Sequence, residues 1–459
     1  MLGIGTVRRH LSGFTLIEGL VFLFLFSLIT AVFFQTFAYS TALIQQSKYR
    51  LGAIALANQK MEIVRSLSYE AIGTVSGIPA GDIQENETVP VNNSVYQVHT
   101  FVQYVDDAYD GTLSGSPNDA VPNDYKRVRV EVAWGSESDA EKVALFSTFS
   151  PLGVEQPAGG GTLSINILDS QGNGVSGATV RVVNSAVTPA VDVTATTDAS
   201  GNLFFVGAPA SVQNYRITFS KSGYFGSATY APYPTTTFVP TDVHASVVDS
   251  VVNQTSFVMD YSSTLRLQTE DPFGVMVPNI DYRIDGGRQL GTNFGTGVPV
   301  YDFGEDAATN GSGEREYENR SSGSYTWTLD SGETGYRFVR LNPESAASGN
   351  TIDLSPNTTK TVEMILADTA VNGVLFTVTN ATDGTPISGA SVRLTNTTLV
   401  YDETVTTSLY GKAYLPATAT PGLVAATYDY AITATGYTTQ NGTVTVSSGL
   451  ESLAVPMSL

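Results

Sequence analysis

The chain has 459 residues, more than one hydrophobic core organises and room for roughly three to five domains. Charged residues are 14% and hydrophobic ones 42%, with 43 glycines and 20 prolines, a profile too apolar for a disordered tail and too turn-rich for a helical bundle. Mainly β structure is therefore expected. Lys and Arg number 23 against 43 Asp and Glu, a net charge of −20, which disfavours nucleic acid as a partner. Cysteine is absent, which excludes disulfides, cysteine-ligated zinc, iron–sulfur clusters and thiol catalysis.

Residues 14–37, FTLIEGLVFLFLFSLITAVFFQTF, form an apolar run of 24 with one charge, Glu18. As a helix it spans roughly 36 Å, enough to cross a bilayer core of about 30 Å. Arg8 and Arg9 precede it and would keep the amino end cytoplasmic, sending the rest outward. The segment after Phe37 offers no convincing small-residue cleavage site, so a removed secretory signal is not the reading. A carboxylate within hydrocarbon costs about 3 kcal/mol on insertion scales, so Glu18 marks function and needs a partner.

The string Gly13-Phe14-Thr15-Leu16-Ile17-Glu18 behind a short basic leader resembles the processing motif of type IV prepilins and pseudopilins. The resemblance implies that a prepilin peptidase cuts between Gly13 and Phe14 and methylates the new amino terminus. It also implies that Glu18 pairs with the terminal amine of a neighbouring subunit during assembly. Membrane lipid before assembly, other pilin subunits and the pilus assembly machinery are the partners it implies. An uncleaved single-pass anchor is the ordinary alternative.

Past the membrane, Leu43, Ile44, Leu51, Ile54, Met61 and Val64 recur at steps of three, four and seven, among Lys48, Arg50, Lys60, Glu62 and Arg65. This pattern extends one helix to about residue 67. A helix apolar all round at first and amphipathic later has the form of a pilin spine, its second half packing on a small α+β head. In that head, residues 89–105 and 125–134 alternate apolar and polar, most plainly Val128-Arg-Val130-Glu-Val132-Ala-Trp134, the period of strands with one buried face. Two or three more strands, including one at 144–149, are expected to complete a sheet against the spine.

The intervening loop carries Asp106, Asp107, Asp110, Asp119 and Asp124. Oxygen-only clusters suit calcium, and some pseudopilins carry a calcium loop in the head. The same residue types are the usual turn formers and the spacing is not that of an EF-hand, so a plain loop is the preferred reading.

A Gly/Pro linker is expected at 154–161, a flexible break from which the following domains project. Beyond it the sequence repeats. Val175-Ser-Gly-Ala-Thr-Val-Arg-Val returns as Ile387-Ser-Gly-Ala-Ser-Val-Arg-Leu, and TTDASGNLFF at 196–205 matches TTSLYGKAYL at 406–415. Tyr215-Arg-Ile-Thr-Phe and Tyr430-Ala-Ile-Thr-Ala each lead to Gly-Tyr, at Tyr224 and Tyr437. A weaker middle copy starts at Val277-Pro-Asn-Ile-Asp-Tyr-Arg-Ile and continues through Tyr325 to Tyr336, with a longer loop GEDAATNGSGEREYENRSSG.

Units of this length fit β-sandwiches. The expected organisation is a leader at 1–13, a spine helix at 14–67, a head at 68–153, and three tandem sandwiches at 162–262, 263–370 and 371–459. The first and third resemble carboxypeptidase regulatory-like, transthyretin-like domains, which implies fold and no activity. A related surface fold is stiffened by a lysine-to-asparagine crosslink from its first strand. Here the corresponding stretches, 161–169 and 373–380, hold no lysine, and Lys221, Lys360 and Lys412 lie elsewhere, so no such bond is expected.

Of three histidines, His10 leaves with the leader, His99 falls on a strand and His244 in a loop, with no nucleophile or second ligand at a motif spacing. No phosphate-binding loop, zinc-protease motif or nucleophile elbow occurs. The chain is thus expected not to be an enzyme. It reads as a minor pilin or pseudopilin displaying sandwiches at the cell surface for adhesion or interaction, with a glycan or surface protein as the distal ligand. The alternative is a membrane-anchored adhesin that never enters a filament.

Overall fold

The computed structural model describes residues 16–92, 94–109, 111, 116, 123–135, 141–151, 159–344, 349–420 and 422–459. The chain is mainly β, with one long amino-terminal helix, and divides into two compact units at residues 156 and 157.

The first unit is built on α1 (Leu16–Arg65), a single helix of 50 residues. Four strands follow, β1 (Asn86–Val91), β2 (Ser94–Val105), β3 (Tyr125–Trp134) and β4 (Glu141–Phe149), paired antiparallel in chain order. The alternating run at 89–105 divides between β1 and β2, which form a hairpin. Asn92 turns it with a φ of 49°, a left-handed conformation that asparagine tolerates better than most residues. Alternation then decides which face is dry: Val128, Val130 and Val132 of β3 are fully buried and face Ala53, Leu56, Ala57, Met61 and Val64 of α1 in one core cluster. Each buried valine contributes about 1.5–3 kcal/mol relative to an exposed one.

The second unit holds three sandwich-like domains. The first comprises β5 (Gly161–Leu168), β6 (Thr179–Asn184), β7 (Val191–Thr196), β8 (Asn202–Ala208), β9 (Ser211–Ser220), β10 (Ser227–Ala228), β12 (Ala245–Val247) and β13 (Val252–Val258), while β11 (Val239–Pro240), between β10 and β12 in the chain, joins a sheet of the second. In the second are β14 (Ser263–Glu270), β15 (Asp281–Thr292), β16 (Pro299–Ala308), β17 (Glu314–Arg320), β18 (Gly323–Leu329), β19 (Tyr336–Asn342), β20 (Thr351–Leu354) and β21 (Thr359–Asp368). The third has β22 (Gly373–Asn380), β23 (Ser391–Asn396), β24 (Tyr401–Thr406), β25 (Lys412–Leu415), β26 (Ala426–Thr433), β27 (Gln440–Val446) and β28 (Leu450–Met457). In the third, the sheet β25-β22-β28 faces β24-β23-β26-β27 across a core that includes Phe376, Val392, Leu394, Tyr428 and Ile432.

One device recurs in all three. A buried threonine hydroxyl accepts the backbone N–H of Ala178, Ile280 or Ala390, from Thr197 (2.9 Å), Thr309 (3.0 Å) and Thr407 (2.8 Å) respectively. Four residues on, Gly201, Gly313 and Gly411 take φ values of 79°, 76° and 67°, a region open to glycine at no steric cost. The stretch expected as a long loop in the middle copy is therefore β16, the shared turn and β17. Its outward strands carry charge instead of alternating valines, so their period was hidden. A cross-strand ion pair recurs as well, Arg181 with Asp192, Arg283 with Asp306 and Arg393 with Asp402.

The first two sandwiches are joined by a strap. β11, on a segment leaving the first sandwich, pairs antiparallel with the end of β15 in the second. Arg288 reaches back to Asp242 (2.6 Å) and to the carbonyl of Val258 (2.6 Å), and Tyr233 stacks on Phe294 at 4.4 Å. The second and third meet differently, through an apolar cluster of Val339, Ile365 and Ala367 with Leu375 and Tyr414.

Candidate functional site

Two places in the first unit hold the residues singled out from sequence: the start of α1 and the loop between β2 and β3. Gly13 and Phe14 lie outside the described residues. Glu18 is in the first turn of α1. From there the helix presents a largely apolar surface, with Leu16, Leu23, Phe33 and Ile44 at 87%, 65%, 66% and 70% exposure. Such a surface is unstable in water and requires lipid or protein around it. By length and composition α1 is able to cross a membrane.

The second half of the helix is held to the sheet by polar ties as well as by burial. Lys60 pairs with Glu87 of β1 at 2.6 Å, Gln46 bonds Glu141 of β4, and the Tyr96 hydroxyl donates to the Tyr49 carbonyl at 3.2 Å. These contacts fix the direction in which the exposed first half leaves the head.

Of the acidic loop, Asp106, Asp107 and Asp124 are described, whereas Asp110 and Asp119 lie outside the described residues. Asp124 accepts the backbone N–H of Asp107, and Asp107 in turn accepts that of Tyr109 at 3.0 Å. Asp107 thus closes a local turn, and Asp124 ties the two ends of the loop together. Among the described residues no group of three or more His, Asp or Glu side chains is arranged to hold a metal ion.

Beside that loop sits a residue the sequence reading passed over. Lys126, 2% exposed, donates through Nζ to the carbonyls of Tyr69 (2.8 Å) and Ile72 (2.6 Å) and lies over the Tyr69 ring at 4.6 Å. Burial pushes its pKa down to about 8, with Glu70 opposing the shift. Lys126 thereby ties the segment after α1 to β3. Its position was legible: it stands two residues before Val128, on the inward set of β3.

The histidines take ordinary roles. His99 pairs with Glu85 at 3.2 Å and packs on Phe101. His244 bonds the Thr229 hydroxyl at 2.8 Å, and burial together with Arg216 lowers its pKa. Lys221, Lys360 and Lys412 each donate to a backbone carbonyl, those of Ser176, Asp353 and Phe338. Tyr224 stacks on Tyr261 at 4.0 Å, while Tyr336 and Tyr437 pack against the cores of their sandwiches.

No family model and no curated protein matches the chain. Among solved structures it is similar to the Bacillus anthracis TIE protein, with 12% identity over 82% of this chain and 74% of that one, at a TM-score of 0.20. A Streptococcal ancillary pilin matches at 11% identity over 65% of this chain and 98% of that one, TM-score 0.19. BcpA, the major pilin subunit of Bacillus cereus, matches at 10% over 65% and 99%, TM-score 0.16. At TM-scores this low the likeness carries no argument about function.

Proposed function

We propose that the chain is a minor type IV pilin or pseudopilin, incorporated into a cell-surface filament through α1 and displaying its sandwich domains for adhesion or interaction. The observation that carries this reading is the division of α1: one uninterrupted helix is exposed and apolar over its first half and buried against a four-stranded sheet over its second. A membrane anchor alone needs only the first half. A spine that must hold a head in register within a helical assembly needs both.

In this reading prepilin peptidase cuts between Gly13 and Phe14, lipid surrounds the helix before assembly, and Glu18 compensates the terminal amine of a neighbouring subunit on docking. A carboxylate–amine pair in a low-dielectric environment is strongly favoured over either charge alone. The acidic loop acts as a plain turn, and the reading assigns the chain no catalytic step. Long distal bulk suits sparse or terminal incorporation, since a continuous array of such subunits would crowd.

Mass spectrometry of the mature chain tests the processing step: a first residue of Phe14 carrying an added methyl group is expected. A chain beginning at Met1, or cut elsewhere, overturns it and leaves the anchored adhesin as the better account.

A further inference from the structure

We propose that each sandwich is a force-bearing unit, closed by a parallel ladder between its first and last strands that a pull along the chain loads in shear. This follows from the fold of the second unit and holds whether or not the chain enters a filament.

The pairing is the same three times over. β5 runs parallel to β13 from Thr162 opposite Val252 to Leu168 opposite Val258. β14 runs parallel to β21 from Thr264 opposite Thr359 to Glu270 opposite Ile365. β22 runs parallel to β28 from Gly373 opposite Leu450 to Asn380 opposite Met457. Within each domain these are the strands by which the chain enters and leaves.

Direction decides how such a ladder fails. In a parallel pair, the amino end of the first strand and the carboxyl end of the last lie at opposite ends of the ladder. Tension between them acts along the strands and strains all the inter-strand hydrogen bonds together. Had the pair been antiparallel, entry and exit would lie side by side, and the bonds would open one at a time.

Two further features resist sliding. Inward residues of the paired strands are core: Phe376 and Val378 on β22 and Val455 and Met457 on β28 are buried, so slippage would strip apolar contacts as well as hydrogen bonds. The ladders are also tied at their ends. Ser263 Oγ bonds the Ser355 carbonyl at 2.7 Å and accepts from the Thr358 N–H at 3.2 Å, and Asn372 accepts the Gly449 N–H at 2.8 Å. Tension passes from one ladder to the next through short connections, residues 259–262 and 369–372.

Because the chain has no cysteine, introduced thiols give unique handles for single-molecule pulling on the full protein in detergent. Val371→Cys with Ser458→Cys loads the third ladder in shear, whereas Val371→Cys with Ser448→Cys peels the same ladder from one end. All three positions lie outside the strands, with Val371, Ser448 and Ser458 exposed, and both variants should melt like wild type. At one loading rate the shear pair should rupture at a force about threefold or more above the peeling pair, since forced unfolding reports the barrier along the pulled coordinate. Equal forces, or a weaker shear pair, would overturn the proposal.

Discussion

The two halves of α1 are one helix with two environments. From Leu16 to Ile44 its large side chains stand in the open, Leu25 at 48% and Phe34 at 65% exposure, while Ala53, Leu56, Ala57, Met61 and Val64 are within 4% of complete burial. Helix propensity does not distinguish them, since both halves are continuous. The second half has its partner within the chain, and the first must find one outside it. The boundary lies near Tyr49 and Gly52, where Gly52 leaves room for the Tyr96 hydroxyl of β2 to reach the Tyr49 carbonyl.

Charge is the sharpest way to break this comparison. Ala57→Arg places an unpaired cation in the head core and should cost more than about 4 kcal/mol, enough to unfold the head. Leu25→Arg should leave the head folded while reducing membrane insertion by about 2.5–3.5 kcal/mol. Fluorescence of Trp134 in a Trp327→Phe background reports the head, and alkaline extraction of membranes reports insertion. Loss of head structure in both variants would erase the distinction between the halves.

Glycine substitutions probe it more gently. A Cβ at Gly52 would come within 2.3 Å of the Tyr96 hydroxyl, whereas one at Gly19 meets nothing within 4 Å. Gly52→Ala should therefore destabilise the head by about 1–3 kcal/mol through overpacking. Gly19→Ala should be neutral or add up to about 1 kcal/mol of helix stability. Chemical denaturation monitored at Trp134 separates them, and equal midpoints would contradict the packing at Gly52.

Lys126 supplies a pH test of the same head. Its folded pKa of about 8 lies below the usual 10.5, so the unfolded chain holds this proton more tightly. The penalty for the buried cation is present in full below pH 8 and fades as pH rises towards 10.5. Stability of wild type relative to Lys126→Met should accordingly improve between about pH 7.5 and about pH 10. A flat difference would mean that burial does not set this lysine's charge. The smallest expected effect is on chelation: with the acidic loop a plain turn, EDTA should leave the head's melting curve in place, and a downward shift would restore a calcium site there.

How much of this was legible in the sequence varied with how local the signal was. The helix and β3 announced themselves by period, and even Lys126 stood at an inward position of an alternating strand. By contrast, Thr309 and Gly313 form the same turn as Thr197 with Gly201, yet they sit between strands whose residues, such as Glu305, Asp306, Glu314 and Glu316, are charged and outward. No hydrophobic period marks such strands. The strap through β11 was hidden for another reason. Its proline-rich run, APYPTTTFVP at 231–240, looks like loop until its partner, the end of β15 some fifty residues later, is seen beside it. In the acidic loop composition suits calcium and turns alike, and the bonds of Asp107 and Asp124 to backbone N–H groups depend on side-chain placement that no period in the sequence marks.

The central claim is that the exposed half of α1 is covered by other subunits of a filament. Quantitative mass spectrometry of filaments sheared from cells tests it most directly, comparing wild type with Glu18→Ala. The account predicts that the chain is present well below the most abundant pilin, and that Glu18→Ala depletes it from filaments while cleavage after Gly13 persists. Complete absence of the wild-type chain from sheared filaments, with all of it retained in the membrane, would contradict the account.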